Sequence, residues 1–409
     1  MAGVVLEGVT KTYGKKRGVA DLSLEVGDGE FFVVLGPSGA GKTTTLKAVA
    51  GLVELDGGRV AIGGRDMEGV QPYHRRVAMA FESYALYPQK TVSQNLASPL
   101  RSGRTGSYSE SEQRTRIEAV TTTLGIDHLL ERFPRELSNG QRQRVALGRV
   151  LVRPADAYLL DEPLSHLDAK LRAAMRAELK QLGSMSSTTS LYVTHDYQEA
   201  LALGDRVAVL REGRLVQVGT PEDVWERPVD SFVAKALGQP EINLLDAVVD
   251  GGELVAAEGA VRVPVPRGAD LRAGDRARVG IRPRDLTLVP GDDVVGGAPD
   301  RGQAVLAGEG ARGVRVEGRV RLAERLGRAV ELEVDLGGGR HHLIAVDESE
   351  APLAEGDAVR LAVPAARVHV FAHGAPGEDT AAVRTAAPLA GGRPAAVAAG
   401  PRTTTEDSR

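Results

Sequence analysis

The sequence predicts an α/β domain on a mainly parallel sheet, followed by a smaller β-barrel. Three observations lead there. Short apolar runs alternate with helical segments as far as about Leu237. One of these runs, Phe31 to Leu35, passes into a glycine-rich stretch and then a helix former. Beyond Leu237 the texture changes to short Val-rich alternating runs separated by Gly, Pro and Asp, the pattern of a small barrel.

Taken in order, Phe31–Leu35 is a buried strand and Thr43–Ala50 favours helix. Ser109–Val152 carries helical spacing and no strand signal, so a mostly helical insert is expected there. Ala157–Leu160 and Leu191–Val193 are further short apolar runs that end at polar residues. Between them Asp168–Leu182 is helical, with Leu171, Met175, Leu179 and Leu182 on one side. Val207–Leu210 and Leu215–Val218 flank Glu212-Gly213, a hairpin signal. In the C-terminal part, Leu271-Arg-Ala-Gly274-Asp275-Arg-Ala-Arg-Val279 resembles Leu353-Ala-Glu-Gly356-Asp357-Ala-Val-Arg-Leu361. Two readings stand side by side: shared turn chemistry, or two similar halves of one barrel. Residues 291–313 read as a flexible loop, and 374–409 as a disordered tail poor in large apolar groups.

The 409 residues suit two folded units, and 42% hydrophobic with 26% charged residues is globular composition. A formal charge of −4 gives no sequence-wide basic field, which argues against nucleic acid as the main partner. The absence of cysteine excludes a disulfide scaffold and Cys-ligated zinc. Met1–Gly8 does not read as a signal peptide, and no run approaches the roughly 20 apolar residues that span a bilayer. Contact with a membrane is therefore expected only through partners.

Gly36-Pro-Ser38-Gly39-Ala-Gly41-Lys42-Thr43 fits the phosphate-binding P-loop pattern, in the strand–loop–helix context it needs. Glycines let the backbone wrap phosphates, and amides at a helix N-terminus donate to the anion. Gly36, Ser38, Gly39, Gly41, Lys42, Thr43 and Thr44 are thus candidate nucleotide-binding residues. Lys42 would neutralise β/γ-phosphate charge and Thr43 would ligate Mg²⁺. Tyr158-Leu-Leu-Asp161-Glu162 ends a strand in two carboxylates, at the sheet edge where ligands bind. Asp161 is the candidate Mg²⁺ ligand, and Glu162 the general base that polarises the attacking water.

Leu137-Ser138-Asn139-Gly140-Gln141, with Arg142 to Leu147 after it, resembles the signature of ATP-binding-cassette (ABC) ATPases, which usually reads Leu-Ser-Gly-Gly-Gln. Asn139 departs from the first glycine of that pair. The resemblance implies that Ser138, Gly140 and Gln141 touch the γ-phosphate bound to the other monomer of a dimer. Further elements follow in the family's order. Tyr13 matches the aromatic that stacks on adenine, a contact of roughly 1–3 kcal/mol. Ser165-His166-Leu167-Asp168 matches the loop that links the two sites, with Asp168 at the nucleotide. Thr194-His195-Asp196 matches the switch segment in which His195 bonds the γ-phosphate. Val77–Pro88 resembles the family's Q-loop, yet Glu82 stands where glutamine is usual. A carboxylate can ligate Mg²⁺ but adds negative charge near the phosphate.

Tyr84–Pro88, Asp161–Arg172 and Gly280-Ile-Arg-Pro283 are similar to ATPase subunits of bacterial carbohydrate importers of the maltose and glycerol-3-phosphate type. The resemblance implies an ABC nucleotide-binding domain over 1–237, with a helical insert at about 89–152, and an OB-like regulatory barrel over 238–373. It also implies ATP and Mg²⁺ as cofactors, a homodimer, two membrane-spanning permease subunits, and an extracytoplasmic solute-binding protein acting indirectly. The expected place is the inner face of the cell membrane, held there by the permeases. The rival readings are a non-transport ABC ATPase, which would carry tandem cassettes or a long coiled coil, an attenuated regulatory subunit, which Glu82 alone suggests, and an importer for another anion or a metal, since such importers share related barrels.

Overall fold

A computed structural model describes residues 2–81, 86–101, 108–165, 167–186, 188–289, 313–337, 339, 341–348, 352–374 and 379–383. The chain opens with the antiparallel strands β1 (Val4–Tyr13) and β2 (Lys16–Val26), then β3 (Phe31–Leu35) and α1 (Lys42–Ala50). There follow β4 (Gly57–Ile62), β5 (Arg65–Asp66), β6 (Val77–Ala80), α2 (Val92–Ala97), α3 (Glu110–Leu124), α4 (Asn139–Leu151) and β7 (Ala157–Asp161). Then come α5 (Ala169–Ser186), β8 (Thr189–Thr194), α6 (Tyr197–Leu203), β9 (Arg206–Arg211), β10 (Arg214–Gly219), α7 (Pro221–Glu226) and α8 (Ser231–Ala236).

β3 is the centre of a six-stranded sheet of order β10-β9-β3-β8-β7-β6, in which β9, β3, β8, β7 and β6 run parallel. All five β3 residues are buried, as an apolar run without polar alternation requires in a two-sided sheet. Its period of two sorts them between two cores. Phe31, Val33 and Leu35 face a cluster with Leu96, Leu124, Val145 and Met175 from the helices. Phe32 and Val34 face α1 and the smaller antiparallel sheet β2-β1-β4-β5. Between β6 and β7 the described residues form helices and no strand. On α5, Met175 and Leu179 are buried and Leu171 packs beside them; the Leu182 side chain lies outside what is described.

The C-terminal strands are β11 (Asn243–Asp250), β12 (Glu253–Ala256), β13 (Val261–Pro264), β14 (Arg276–Ile281) and β15 (Thr287–Leu288). β16 (Gly313–Leu326), β17 (Ala329–Asp335), β18 (His342–Asp347), β19 (Ala358–Pro364) and β20 (His369–Ala372) complete them. They form one antiparallel sheet around a core of Val, Leu, Ala and Ile side chains. The two similar sequence pieces occupy equivalent places. Gly274 and Gly356 have φ of 87° and 90°, and their amides donate to Val249 and Val320. Asp275 and Asp357 accept from the amides of Arg272 and Ala354 at 2.7 and 2.8 Å. Each turn feeds a strand, β14 or β19, that pairs with the first strand of its half, β11 or β16. The halves then exchange ends: β20 pairs with β14, and β15 with β19. This geometry favours two similar halves over coincidence.

The expected tail needs one correction. Residues 291–312 and 384–409 lie outside the described residues, but 379–383 do not hang free. Ala372 N–H donates to Ala381, Ala382 N–H to Val229, and Val383 N–H to Val370. Asp379 meets Lys235 at 3.0 Å and Arg211 at 3.3 Å. Backbone pairing and a shared carboxylate order a segment whose composition alone promised nothing.

Candidate functional site

The glycine-rich loop turns out of β3 and into α1. Gly41 has φ of 102°, and a Cβ there would stand 2.4 Å from Gly18 O. No side chain caps α1, so its first amides have no capping acceptor of their own. Lys42 Nζ donates to Gly36 O at 2.8 Å and Pro37 O at 3.1 Å. The same ammonium lies 3.2 Å from Glu162 Oε1, with the lysine side chain only 6% exposed. Thr43 Oγ1 donates to Asp161 Oδ1 at 3.0 Å.

β7 delivers the acidic pair. Asp161 is buried at the strand's end, and Glu162 leaves it with φ of 45° while its amide donates to Val193 O. That left-handed backbone, unusual for a non-glycine residue, turns the Glu162 side chain back toward the loop. Its second carboxylate oxygen lies 2.6 Å from His195 Nδ1. One carboxylate thus joins the lysine of the glycine-rich loop to the histidine of the turn after β8.

Behind His195, Glu199 is buried at 2% exposure and accepts from Tyr192 Oη at 2.8 Å and Thr194 Oγ1 at 2.7 Å. Burial pushes its pKa up, while the Thr194 and Tyr192 hydroxyls oppose the rise. Asp196 caps α6 through the Gln198 and Glu199 amides.

A cleft of about 460 Å³ is lined by Tyr13, Lys16, Arg17, Gly18, Ser38, Gly39, Gly41, Lys42, Thr43, Thr44 and Glu162. The structure therefore brings Tyr13 and the loop to one cleft, with Asp161 behind Thr43 and His195 behind Glu162. Gly36 serves from beneath, through its carbonyl on Lys42. Ser138, Gly140, Gln141 and Asp168 do not line this cleft. Ser138 and Gln141 form a capping box at the start of α4. A Cβ on Gly140 would stand 2.6 Å from Leu171 Cδ2, so α4 and α5 pack closely there. Asp168 caps the start of α5 through the Leu171 amide. Gln143 Nε2 donates to Pro163 O, tying α4 to the turn after the acidic pair. Glu82 lies outside the described residues.

Sequence reasoning missed Lys16 and Arg17, whose only signal was basic charge three and four residues after Tyr13. It also missed Glu199, an acid inside a helix that reads as solvated until Tyr192 and Thr194 are seen to close on it.

The family models that match are "ABC transporter", over residues 19–165, and "TOBE domain", over 299–371. The trehalose/maltose import ATP-binding protein MalK of Thermococcus litoralis is 42% identical over 390 residues, 91% of this chain and 98% of that protein. The sn-glycerol-3-phosphate import ATP-binding protein UgpC of Cereibacter sphaeroides is 40% identical, again over 91% and 98%. The sulfoquinovosyl glycerol transport ATP-binding protein SmoE of Agrobacterium fabrum is 45% identical over 72% of this chain and 82% of its own length. Among solved structures, the dimeric form of MJ0796, a bacterial ABC transporter cassette, matches with a TM-score of 0.50 and 29% identity. It covers 53% of this chain and 98% of that one.

Proposed function

This chain belongs to the ATP-binding subunits of ABC transporters, and from that premise we propose that its ATP hydrolysis drives uptake of a sugar or related polar solute through separate membrane subunits. The chain binds ATP and acts as an importer ATPase; its relatives are named import ATP-binding proteins. The observation that carries the site assignment is the convergence of Lys42 and His195 on Glu162, at 3.2 and 2.6 Å, beside the cleft that Tyr13 borders.

In this reading the loop amides and Lys42 hold the β- and γ-phosphates, and Tyr13 stacks on adenine. Glu162 accepts a proton from the water that attacks the γ-phosphorus, as the bond to the β-phosphate oxygen breaks. His195 orients Glu162 and meets the γ-phosphate. Thr43 and Asp161 would hold Mg²⁺; a hydroxyl paired with a buried carboxylate is the hard oxygen set this cation prefers. When bound, Mg²⁺ neutralises phosphate charge. Glu82 is proposed as a further ligand, on its sequence position alone.

Two copies sandwich two nucleotides, each between the loop of one and Ser138, Gly140, Gln141 and Asp168 of the other. This pairing supplies a partner for the signature residues, which lie away from the protomer's own cleft. Among the described residues no helix is long and apolar enough to cross a membrane. Two permease subunits then hold the homodimer at the inner face of the membrane and receive its closure and opening. An extracytoplasmic binding protein delivers the solute to them.

The test is Mg²⁺-dependent ATP hydrolysis by the purified chain beside Glu162→Gln and Lys42→Ala. Loss of a general base predicts a fall of about 10²–10⁴-fold for Glu162→Gln, with ATP still bound. Lys42→Ala should lose ATP affinity as well. Turnover by Glu162→Gln at the wild-type rate would refute the assignment.

A further inference from the structure

Arg172 holds none of the roles above, yet it touches both segments that carry the hydrolytic pair. It lies in the first turn of α5, where Asp168 accepts from the amides of Leu171 and Arg172. Its Nη2 donates to Leu167 O at 3.1 Å and its Nη1 to Asp196 Oδ2 at 3.2 Å. Its Nε lies 3.9 Å from Glu199 Oε1. Leu167 closes the turn that begins at Glu162, whose carbonyl accepts from Ser165 Oγ at 3.0 Å. Asp196 follows His195 directly, and its amide donates to Thr194 Oγ1 at 2.9 Å. Thr194 in turn donates to the buried Glu199. His195 is therefore flanked by one residue anchored in the core and one held by Arg172.

A guanidinium suits that place because its planar fork donates in two fixed directions at once, here to a carbonyl and a carboxylate. The contact joins the turns that leave β7 and β8, two strands paired side by side in the parallel sheet. We propose that Arg172 is a positioning residue for hydrolysis, clamping Leu167 and Asp168 to the switch turn. When Asp168 engages the second copy, Arg172 carries the displacement to Asp196 and so sets His195 against Glu162. The inference rests on the assignment of Glu162 and His195 above.

The experiment compares kcat, KM for ATP and thermal midpoint for wild type, Arg172→Gln, Arg172→Lys, Asp196→Asn and the Arg172→Gln/Asp196→Asn pair, with Glu162→Gln alongside. Asparagine keeps the α6 cap while removing the charge that Arg172 meets. The clamp predicts that Arg172→Gln lowers kcat by about tenfold or more while KM and the thermal midpoint hold, since misplacing a reacting group costs turnover rather than binding. Arg172→Lys falls less, keeping the charge without the fork. The double variant loses no more than the worse single variant, because both changes break one contact. Wild-type kcat in Arg172→Gln would overturn the proposal, as would a loss of kcat matched by KM and thermal stability. If Arg172→Gln does not fold, wild-type kcat in Arg172→Lys would overturn it. Wild-type turnover in Glu162→Gln would instead refute the underlying site assignment, so the two failures are distinguishable.

Discussion

His369 gives the barrel a measurable acid sensitivity. It sits on β20 opposite Gly280 of β14, its ring 6.2 Å from that of Phe371. Burial, with the charges of Arg282 and Arg367 adding to it, pulls its pKa from 6.5 down to about 4. The folded state thus keeps it neutral where the unfolded chain takes up a proton. The sign follows: the stability is whole above pH 6.5 and is lost as the pH falls toward the folded value of about 4. Integrating that difference gives a loss of about 2 kcal/mol at pH 5 and about 3 kcal/mol at pH 4. The assay is urea unfolding of wild type and His369→Gln at pH 7 and pH 5, followed by fluorescence of Trp225, the chain's one tryptophan. That ring lies at the junction, 3.8 Å beneath the Arg282 guanidinium of the barrel, so it reports the separation of the two units. Between the two pH values wild type should lose about 2 kcal/mol more than the variant. Profiles parallel to within about 0.5 kcal/mol would refute the reasoning.

Two further outcomes follow from the cleft. Tyr13 is 45% exposed at its rim, so Tyr13→Ala should cost no stability but raise the ATP Kd by about 5- to 150-fold, the value of one stacked base. Tyr13→Phe should restore it, and equal loss in both variants would remove the stacking role. Gly41→Ala forces a Cβ to 2.4 Å from Gly18 O at a φ of 102°, so the loop must move. The variant should fold yet show no thermal protection by ATP, and full protection would show that the loop's shape is not what binds phosphate.

Local chemistry explains which features were readable in the residues. An unbroken apolar run such as Phe31–Leu35 has few options besides a strand buried on both faces, and β3 is that strand. Glycines at positive φ and a Lys-Thr pair opening a helix state their own backbone, and the loop has it. The Gly-Asp turns before β14 and β19 were legible as similar pieces, though their equivalence emerged only when β15 and β20 were seen to exchange partners. The 379–383 segment was misread because its order comes from Val229, Val370, Arg211 and Lys235, groups far away in the chain.

The sequence by itself determined the α/β fold with its barrel, the glycine-rich loop, the acidic pair and their order, because each depends on residues within a few positions of one another. Tertiary structure alone decided that Glu162 stands between Lys42 and His195, residues 120 and 33 positions away along the chain. It also decided that Arg172 reaches both Leu167 and Asp196, and that Arg282 of the barrel lies on Trp225. Such contacts leave no periodic trace, since a side chain's partner across a fold is set by how strands and helices pack and not by its neighbours in the chain.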